Sequence, residues 1–484
     1  PEEVNEVRKE RHLPLEPVGR KQSEQNREIQ ESQRNKAQKP EVQETGEERV
    51  YSGDVVQDIS EKINFRITDD DLGAGSPKQK FRANMDAILL LKKLEREDRS
   101  ATPEEQEVLP RFVGWGGISA VFDERNEVWK EEYEELLQAL SPEEYEEARA
   151  STLNAFYTSP TIIRAMYEAL ENMGLRQGNV LEPSCGVGNF MGLVPKSMTE
   201  GLRMYGVELD SISGKIAKQL YQKNMISIQG FETAEYPDSF FDCVIGNVPF
   251  GAYKVLDRRY DRQNLMIHDY FIAKSLDLVR PGGVVAVVTS SRTMDKKDEN
   301  ARRYIANRAE LLGAIRLPEN AFQRNAGTEV VTDILFLQKR DRASLEQPEW
   351  VELGVTKEGY PINTYFANHP EMVLGDVVME STQYGKDMTT VKPIKGAVLT
   401  EQLKKAVSRI QGTITEMELE DSELVGTVVS IPADPSIKNF SFTNVDGKVY
   451  YRENSRMNLV ELPAMTMERV LGMIELRNIT QELL

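Results

Sequence analysis

The chain has 484 residues, with 60 Lys and Arg against 79 Asp and Glu, a formal charge of -19 at neutral pH. That balance argues against a surface built throughout to hold nucleic acid, and the length leaves room for roughly two to four structural units. Two cysteines without metal or disulfide spacing point to a reducing, cytoplasmic setting with no metal, and no apolar run reaches the length of a membrane span.

No signal peptide is visible, and the chain starts at Pro1 and stops at Leu484 inside a helical pattern, so it is read as a segment of a longer polypeptide. Residues 1–55 are polar, charged and nearly free of aromatics, the composition of a disordered linker. A helical extension is expected over 56–150. Ser76-Pro77 reads as an N-cap followed by proline at the first helical position, and Phe81, Met85, Ile88 and Leu89 carry helical spacing to about Glu97. Thr102-Pro103-Glu104-Glu105 repeats the start signal. Phe112-Val113-Gly114-Trp115-Gly116-Gly117-Ile118 marks a special backbone, either a packed turn or a ligand-facing loop. Residues 101–150 carry 14 acidic and 4 basic side chains, mostly on two short helices near Glu124–Leu140 and after Ser141, a poor place for DNA.

From 151 to 340 the pattern alternates. A helix follows Ser159-Pro160. Strands are expected at Asn179–Glu182, Met204–Glu208, Ile226–Ile228, Phe241–Ile245, Val284–Thr289, Leu312–Arg316 and Asp333–Gln338. Helices are expected at Ser213–Lys223, at Ile267–Val279 with a stop at Pro281-Gly282-Gly283, and near Arg302–Glu310. This is an α/β fold with a Rossmann-like sheet of about seven strands. Residues 341–484 read as a small α+β appendage, with a hairpin about Asp446-Gly447 and helices at Val398–Gln411 and Met467–Leu484.

Two turns carry chemistry. Pro183-Ser184-Cys185-Gly186-Val187-Gly188-Asn189 leads from a strand into a helix, but the third position of the dinucleotide fingerprint is Met191, not glycine. Glu182 ends the strand before the turn. Glu208 ends the next strand, placed to accept from ribose hydroxyls. An adenosine without pyrophosphate fits, and S-adenosylmethionine adds a cation for Glu182 to face. The second turn is Gly246-Asn247-Val248-Pro249-Phe250-Gly251 at a strand end. The Asn247 amide oxygen and the Val248 carbonyl offer two acceptors, and Phe250 offers a plane for stacking, which together suit the exocyclic amine of a flipped base. The plainer alternative is a β-turn with a core phenylalanine.

The order Phe156-Tyr157-Thr158-Ser159-Pro160, Glu182 to Gly188, Val207-Glu208 and Asn247-Val248-Pro249-Phe250 resembles the N6-adenine DNA methyltransferases of the gamma arrangement. Gly327-Thr328-Glu329-Val330-Val331-Thr332-Asp333-Ile334 is similar to their late strand pair. The flanks Phe112–Ile118 and Tyr365–Met372 resemble the large methylase–helicase proteins of phages and conjugative elements. The resemblance implies a class I S-adenosylmethionine-dependent methyltransferase domain over 151–340. Its cofactor residues would be Phe156, Tyr157, Thr158, Glu182, Pro183, Ser184, Cys185, Gly186, Gly188, Asn189, Glu208 and Phe231, and its catalytic residues Asn247, Val248, Pro249 and Phe250. DNA would be the substrate. With no phosphate-loop motif present, a helicase region would lie elsewhere in the same polypeptide.

Two departures stand out. Val248 replaces the first proline of the family loop, and Gly230-Phe231 lacks the acidic residue that would meet the cofactor adenine's amine. Residues 253–308 hold 12 basic and 7 acidic side chains. Arg258, Arg259, Arg262, Arg292, Lys296 and Lys297 are expected on the ligand edge of the sheet, facing phosphate. His268 and His369 read as structural, and Cys185 and Cys243 as packing residues. The other readings are a catalytically weak cofactor- or DNA-binding module and a methyltransferase acting on RNA or on a protein glutamine.

Overall fold

The computed structural model describes residues 62–71, 73–152, 157–322, 330–382, 385–414, 430–460, 462 and 464–482. The expectations for residues 1–55, Phe156 and Gly327–Glu329 lie outside them.

The amino-terminal helices follow their caps. Helix α1 (Pro77–Glu97) opens with a capping box in which Ser76 and Gln79 each accept the other's backbone N–H, at 3.4 and 2.8 Å. Its Phe81, Met85, Ile88 and Leu91 are buried. The start signal at Thr102 yields only a single 3₁₀ turn, Glu105–Glu107. Helices α2 (Lys130–Ala139) and α3 (Pro142–Ser151) carry the acidic surface, and α4 (Pro160–Asn172) packs Ile162, Ile163, Met166 and Leu170 inward.

Seven strands then form one sheet: β1 (Gly178–Glu182), β2 (Leu202–Glu208), β3 (Met225–Ile228), β4 (Phe241–Asn247), β5 (Val279–Ser290), β6 (Ala309–Leu317) and β7 (Thr332–Lys339). Their order is β3-β2-β1-β4-β5-β7-β6, all parallel except β7. The crossovers include helices α5 (Ser211–Leu220), α6 (Ile267–Leu278) and α7 (Asn300–Ala306). The order reverses at β1/β4, and the crevice above that switch point is where open α/β sheets bind ligands. This is the Rossmann-like class I methyltransferase topology.

Two boundaries differ from expectation. Pro281-Gly282-Gly283 does not interrupt the chain before β5; it lies within the strand, where the ladder with β4 shifts register between Phe241 and Cys243 and absorbs the residue that cannot donate. Ala309 and Glu310 belong to β6 and not to the preceding helix, because their partners Lys339 and Gln338 on β7 extend the ladder that far.

The carboxyl-terminal region adds the pair β8 (Leu353–Val355) and β9 (Pro361–Asn363), the hairpin β10 (Asp376–Thr382) and β11 (Gly385–Lys392), and helix α8 (Leu399–Val407). A four-stranded sheet follows: β12 (Ser430–Pro432), β13 (Phe442–Val445), β14 (Lys448–Glu453) and β15 (Arg456–Leu459), with helix α9 (Ala464–Glu482) after it. The β13–β14 turn has φ of 51° at Asp446 and 78° at Gly447, the backbone that Asp-Gly hairpins favour. This small sheet docks on the amino edge of the large one. Ser455 donates to Asp242 at 2.7 Å, Arg280 meets the same oxygen at 2.7 Å, and the Asn179 N–H donates to the other at 2.8 Å. The amino edge is thereby covered.

At the opposite edge Arg316 makes a bidentate pair with Asp333, at 2.8 and 2.7 Å, with both side chains buried. Asp333→Ala should leave that guanidinium with only the partly exposed Asp295 and cost about 3–5 kcal/mol, read as a fall in the urea midpoint at unchanged slope.

Candidate active site

The strand ends place the cofactor turn and the second turn side by side. β1 and β4 are hydrogen-bonded neighbours, so Glu182 and Asn247 end adjacent strands. The Ser184 hydroxyl donates to the Asn247 carbonyl at 2.8 Å, tying one turn to the other. A Cβ on Gly246 would sit 3.4 Å from Pro183, so the strand end lies close under the turn.

The turn itself needs its glycines. Gly186 and Gly188 have φ of 53° and 85°, and a Cβ at Gly188 would lie 2.4 Å from the Tyr221 ring. The close approach that a third fingerprint glycine would provide falls instead at Gly192, where a Cβ would meet the Tyr221 hydroxyl at 2.4 Å and Ile67 at 2.7 Å. Cys185 and Cys243 are buried beside the sheet, and burial pushes both thiols up, which leaves them un-ionised and poor nucleophiles.

Two carboxylates flank the turn. Glu208 accepts the Gly186 N–H at 2.7 Å with one oxygen and the Asp210 N–H at 2.8 Å with the other. Burial, and secondarily the nearby Asp210, pushes its carboxyl up to about 7. Each oxygen keeps a second lone pair for a ligand hydroxyl. Glu182 is 2% exposed, and burial, with Glu208 nearby, raises it well above the usual carboxylate range. Its Oε2, Thr158 Oγ1 and Asn189 Oδ1 are buried without a hydrogen-bond partner among the described residues. Buried polar atoms cost stability when unpaired. Together with the open glycine cradle they fit a small polar cation-bearing ligand. Tyr157 lies over Gly186, 3.2 Å from where a Cβ would be, and its hydroxyl is 3.5 Å from Ser213.

Phe231 is buried in packing: its ring lies tilted against Phe271 at 4.9 Å between centroids, and Lys274 donates to its carbonyl at 2.7 Å. Asn247, Pro249 and Phe250 are half-buried at the carboxyl edge. Val248 is buried, and its N–H donates to the Val288 carbonyl at 3.0 Å, so the β4–β5 ladder continues one residue into the loop. The Val248 N–H is therefore committed, and proline in its place would break that bond.

The basic residues divide. Arg259 forms a bidentate pair with Asp238, at 2.7 and 2.9 Å, and reaches Asp277 at 3.1 Å, while Tyr260 donates to Asp277 at 2.7 Å. Asp277 ends α6, at the amino edge. The pairings of Arg259 and Tyr260 hold that part of the loop beside the end of α6, which carries Arg259 away from the ligand edge where it was expected. Arg292, Lys296 and Lys297 follow Ser290, the carboxyl end of β5, and stay on that edge.

A pair the sequence reading passed over sits at the start of α6. His268 and Asp269 are buried, 3.7 Å apart, and the ring nitrogens of His268 have no hydrogen-bond partner among the described residues. Burial lowers the His268 imidazole and raises the Asp269 carboxyl, so both tend to the neutral form. A lone histidine at a helix start gave no sign of this; only its burial does. No group of three metal-ligating side chains occurs among the described residues, and no helix there is long and apolar enough to cross a membrane.

Residues 125–352 match the family model described as N-6 DNA Methylase. That stretch is similar to the N-6 DNA methylases. It is a methyltransferase domain, and S-adenosylmethionine is its cofactor. Among curated relatives, the Defense against restriction protein B of Escherichia phage P1 is 28% identical over 281 residues, covering 57% of this chain and 11% of that protein. The Type II methyltransferase M.CvrRI of Paramecium bursaria Chlorella virus XZ-6E is 30% identical over 191 residues, 38% of this chain and 48% of the relative. The rRNA N(6)-adenosine-methyltransferase metl-5 of Caenorhabditis elegans is 25% identical over 205 residues, 39% of this chain and 89% of the relative. The chain thus spans about a tenth of the phage protein's length. A type I restriction-modification methyltransferase subunit from Streptococcus thermophilus superposes with a TM-score of 0.35 at 13% identity, covering 61% and 86% of the two chains.

The Glu208 carboxyl titrates near 7, and its ionised form is the one that accepts from hydroxyls and favours a cation. Cofactor affinity should therefore rise with pH up to about 7 and flatten above it. Calorimetry at pH 6, 7 and 8 should show Glu208→Gln losing that part of the rise and roughly 1–3 kcal/mol of affinity at pH 8.

Proposed function

We propose that this domain transfers a methyl group to N6 of an adenine held out of the DNA stack. The observation that carries the reading is the 2.8 Å bond from Ser184 to the Asn247 carbonyl, which holds the acceptor loop against the cofactor turn. The bound cofactor supplies an electrophilic methyl on a sulfonium. The chain's residues do the rest by placement. The Asn247 side-chain oxygen and the Val248 carbonyl would accept hydrogen bonds from the two N6 hydrogens, which withdraws the nitrogen lone pair from conjugation with the ring and aims it along the sulfur–methyl bond. Phe250 stacks on the base. The N6–methyl bond forms as the sulfur–methyl bond breaks, and one N6 proton leaves to solvent. No covalent enzyme intermediate is required, so the rate comes from orientation and from dipoles already in place.

Glu208 takes the ribose hydroxyls and Glu182 faces the cationic end, helped by Tyr157, Thr158, Pro183, Ser184, Gly186, Gly188 and Asn189 around the turn. Arg258, Arg262, Arg292, Lys296 and Lys297 are the phosphate contacts in this reading; Arg259, tied to Asp238 and Asp277, is not. That the chain covers 11% of the phage P1 protein supports a place within a larger polypeptide, to which this reading adds a helicase region. A second reading, RNA adenine as the substrate, draws on the rRNA methyltransferase of which this chain covers 89%.

Duplex DNA, single-stranded DNA and RNA offered with labelled cofactor separate these readings, and no transfer to any of them, with cofactor bound, would leave the non-catalytic module. Asn247→Ala should lower transfer by roughly 10²–10³-fold, the scale of removing one preorganised partner of the reacting group, and keep cofactor affinity within about threefold, roughly 0.7 kcal/mol.

The loop's departure at Val248 is testable separately. Val248→Pro removes the N–H that Val288 accepts, a loss of about 1 kcal/mol or more. Single-turnover transfer should fall about tenfold; an equal or faster rate would mean that ring rigidity outweighs the ladder bond.

A further inference from the structure

We propose that the Phe112–Val113 edge of the amino-terminal helical region is a wall of the cofactor site, and that it receives the amino-acid tail of the cofactor. The proposal rests on the cofactor reading above.

A cavity lies beside the glycine turn, lined by Ile67, Gly73, Phe112, Val113, Thr158 and Asn189 among others. At about 10 Å³ it has room for one water-sized group. That is the size of an ammonium or a carboxylate oxygen, and far too small for an adenine or a ribose. Its polar lining is unsatisfied: Thr158 is 4% exposed, and neither its Oγ1 nor the Asn189 Oδ1 has a hydrogen-bond partner among the described residues. An apolar slot with two waiting polar atoms suits the charged end of a short aliphatic chain.

The geometry of a sulfonium says which arm comes here. Its three substituents diverge from one sulfur. The adenosyl arm belongs over Glu208 at the end of β2. The methyl must face Asn247 at the end of β4. The third arm leaves on the remaining side of the turn, where Thr158 precedes α4 and Asn189 follows Gly188.

The wall is rigid before any ligand arrives. Asn84 of α1, fully buried, accepts the Val113 N–H at 2.8 Å and donates to the Gly114 carbonyl at 2.7 Å. Gly114 turns at φ 68°. Trp115 is buried behind it, edge-to-face with Phe112 at 6.0 Å and with Phe122 at 5.4 Å. Gly73 closes the far side, where a Cβ would stand 2.4 Å from Val113. The segment before it is tied to the turn's own helix through the Ile67 N–H and the Gly192 carbonyl at 3.0 Å. The tryptophan–glycine motif is thus both of the things its sequence offered: Trp115 is the packed support, and the two residues ahead of Gly114 face the ligand.

Calorimetric titration of the full chain with two probes tests this. S-adenosylhomocysteine carries the tail; 5′-methylthioadenosine keeps the adenosine and lacks the tail. Val113→Phe, which fills the slot, should weaken S-adenosylhomocysteine at least tenfold and change methylthioadenosine less than twofold. Thr158→Val, nearly isosteric and safe for folding, should weaken S-adenosylhomocysteine several-fold with the same selectivity. Equal weakening of both probes, or of neither, would overturn the proposal. A wild-type chain that binds neither probe would remove the cofactor reading on which it rests.

Discussion

The adjacency of β1 and β4 is the constraint on which the site depends. Because these strands are hydrogen-bonded neighbours, the turn after one and the loop after the other emerge a few ångströms apart, and Ser184 needs only its short hydroxyl to reach the Asn247 carbonyl. A methyl transferred in line tolerates little error in position. Both partners here are set by rigid strands, and the loop stays in the ladder through Val248. In the proposed reading, the bond from the Val248 N–H to the Val288 carbonyl fixes the loop where the resembling enzymes have a proline ring.

The two ends of the sheet are treated differently. At the amino edge Asp242 gathers Asn179, Arg280 and Ser455, and the carboxyl-terminal sheet lies over it, with Arg452 placed 5.0 Å above the Phe240 ring. Most of the polar groups there are paired, although Asn179 Oδ1 and one Arg452 nitrogen are buried without a partner among the described residues. At the carboxyl edge further such atoms collect, on Glu182, Thr158, Asn189 and His268. Unpaired polar groups are costly, and those gathered around the glycine turn mark where the fold keeps capacity for a ligand.

Charge is unevenly spread along the chain. Residues 101–150 carry 14 acidic and 4 basic side chains within a net charge of -19, and the arginines that the sequence offered to DNA include one that holds the chain to Asp238 and Asp277 instead. The buried carboxyls of Glu182 and Glu208 are both raised by burial. A cation arriving beside them would reverse part of that cost, so cofactor binding and carboxyl ionisation should support one another.

The sequence by itself determined the alternation of strands and helices, the capped helix at Pro77, the Asp-Gly hairpin and the identity of the two turns, because each is written in local spacing: period, caps, and glycines where φ must be positive. It also placed Glu182 and Glu208 at strand ends. It could not determine what depends on contacts between distant segments. Whether the Val248 N–H was free depended on Val288, 40 positions on. Whether Arg259 faced the ligand depended on its pairing with Asp238 and Asp277. Whether Phe112–Gly117 was support or lining depended on Asn84 and Gly73, and the burial of His268 depended on how α6 seats on the sheet. Local steric preferences act within a few residues and so can be read along the chain; burial and hydrogen-bond partnership are decided by the packed whole.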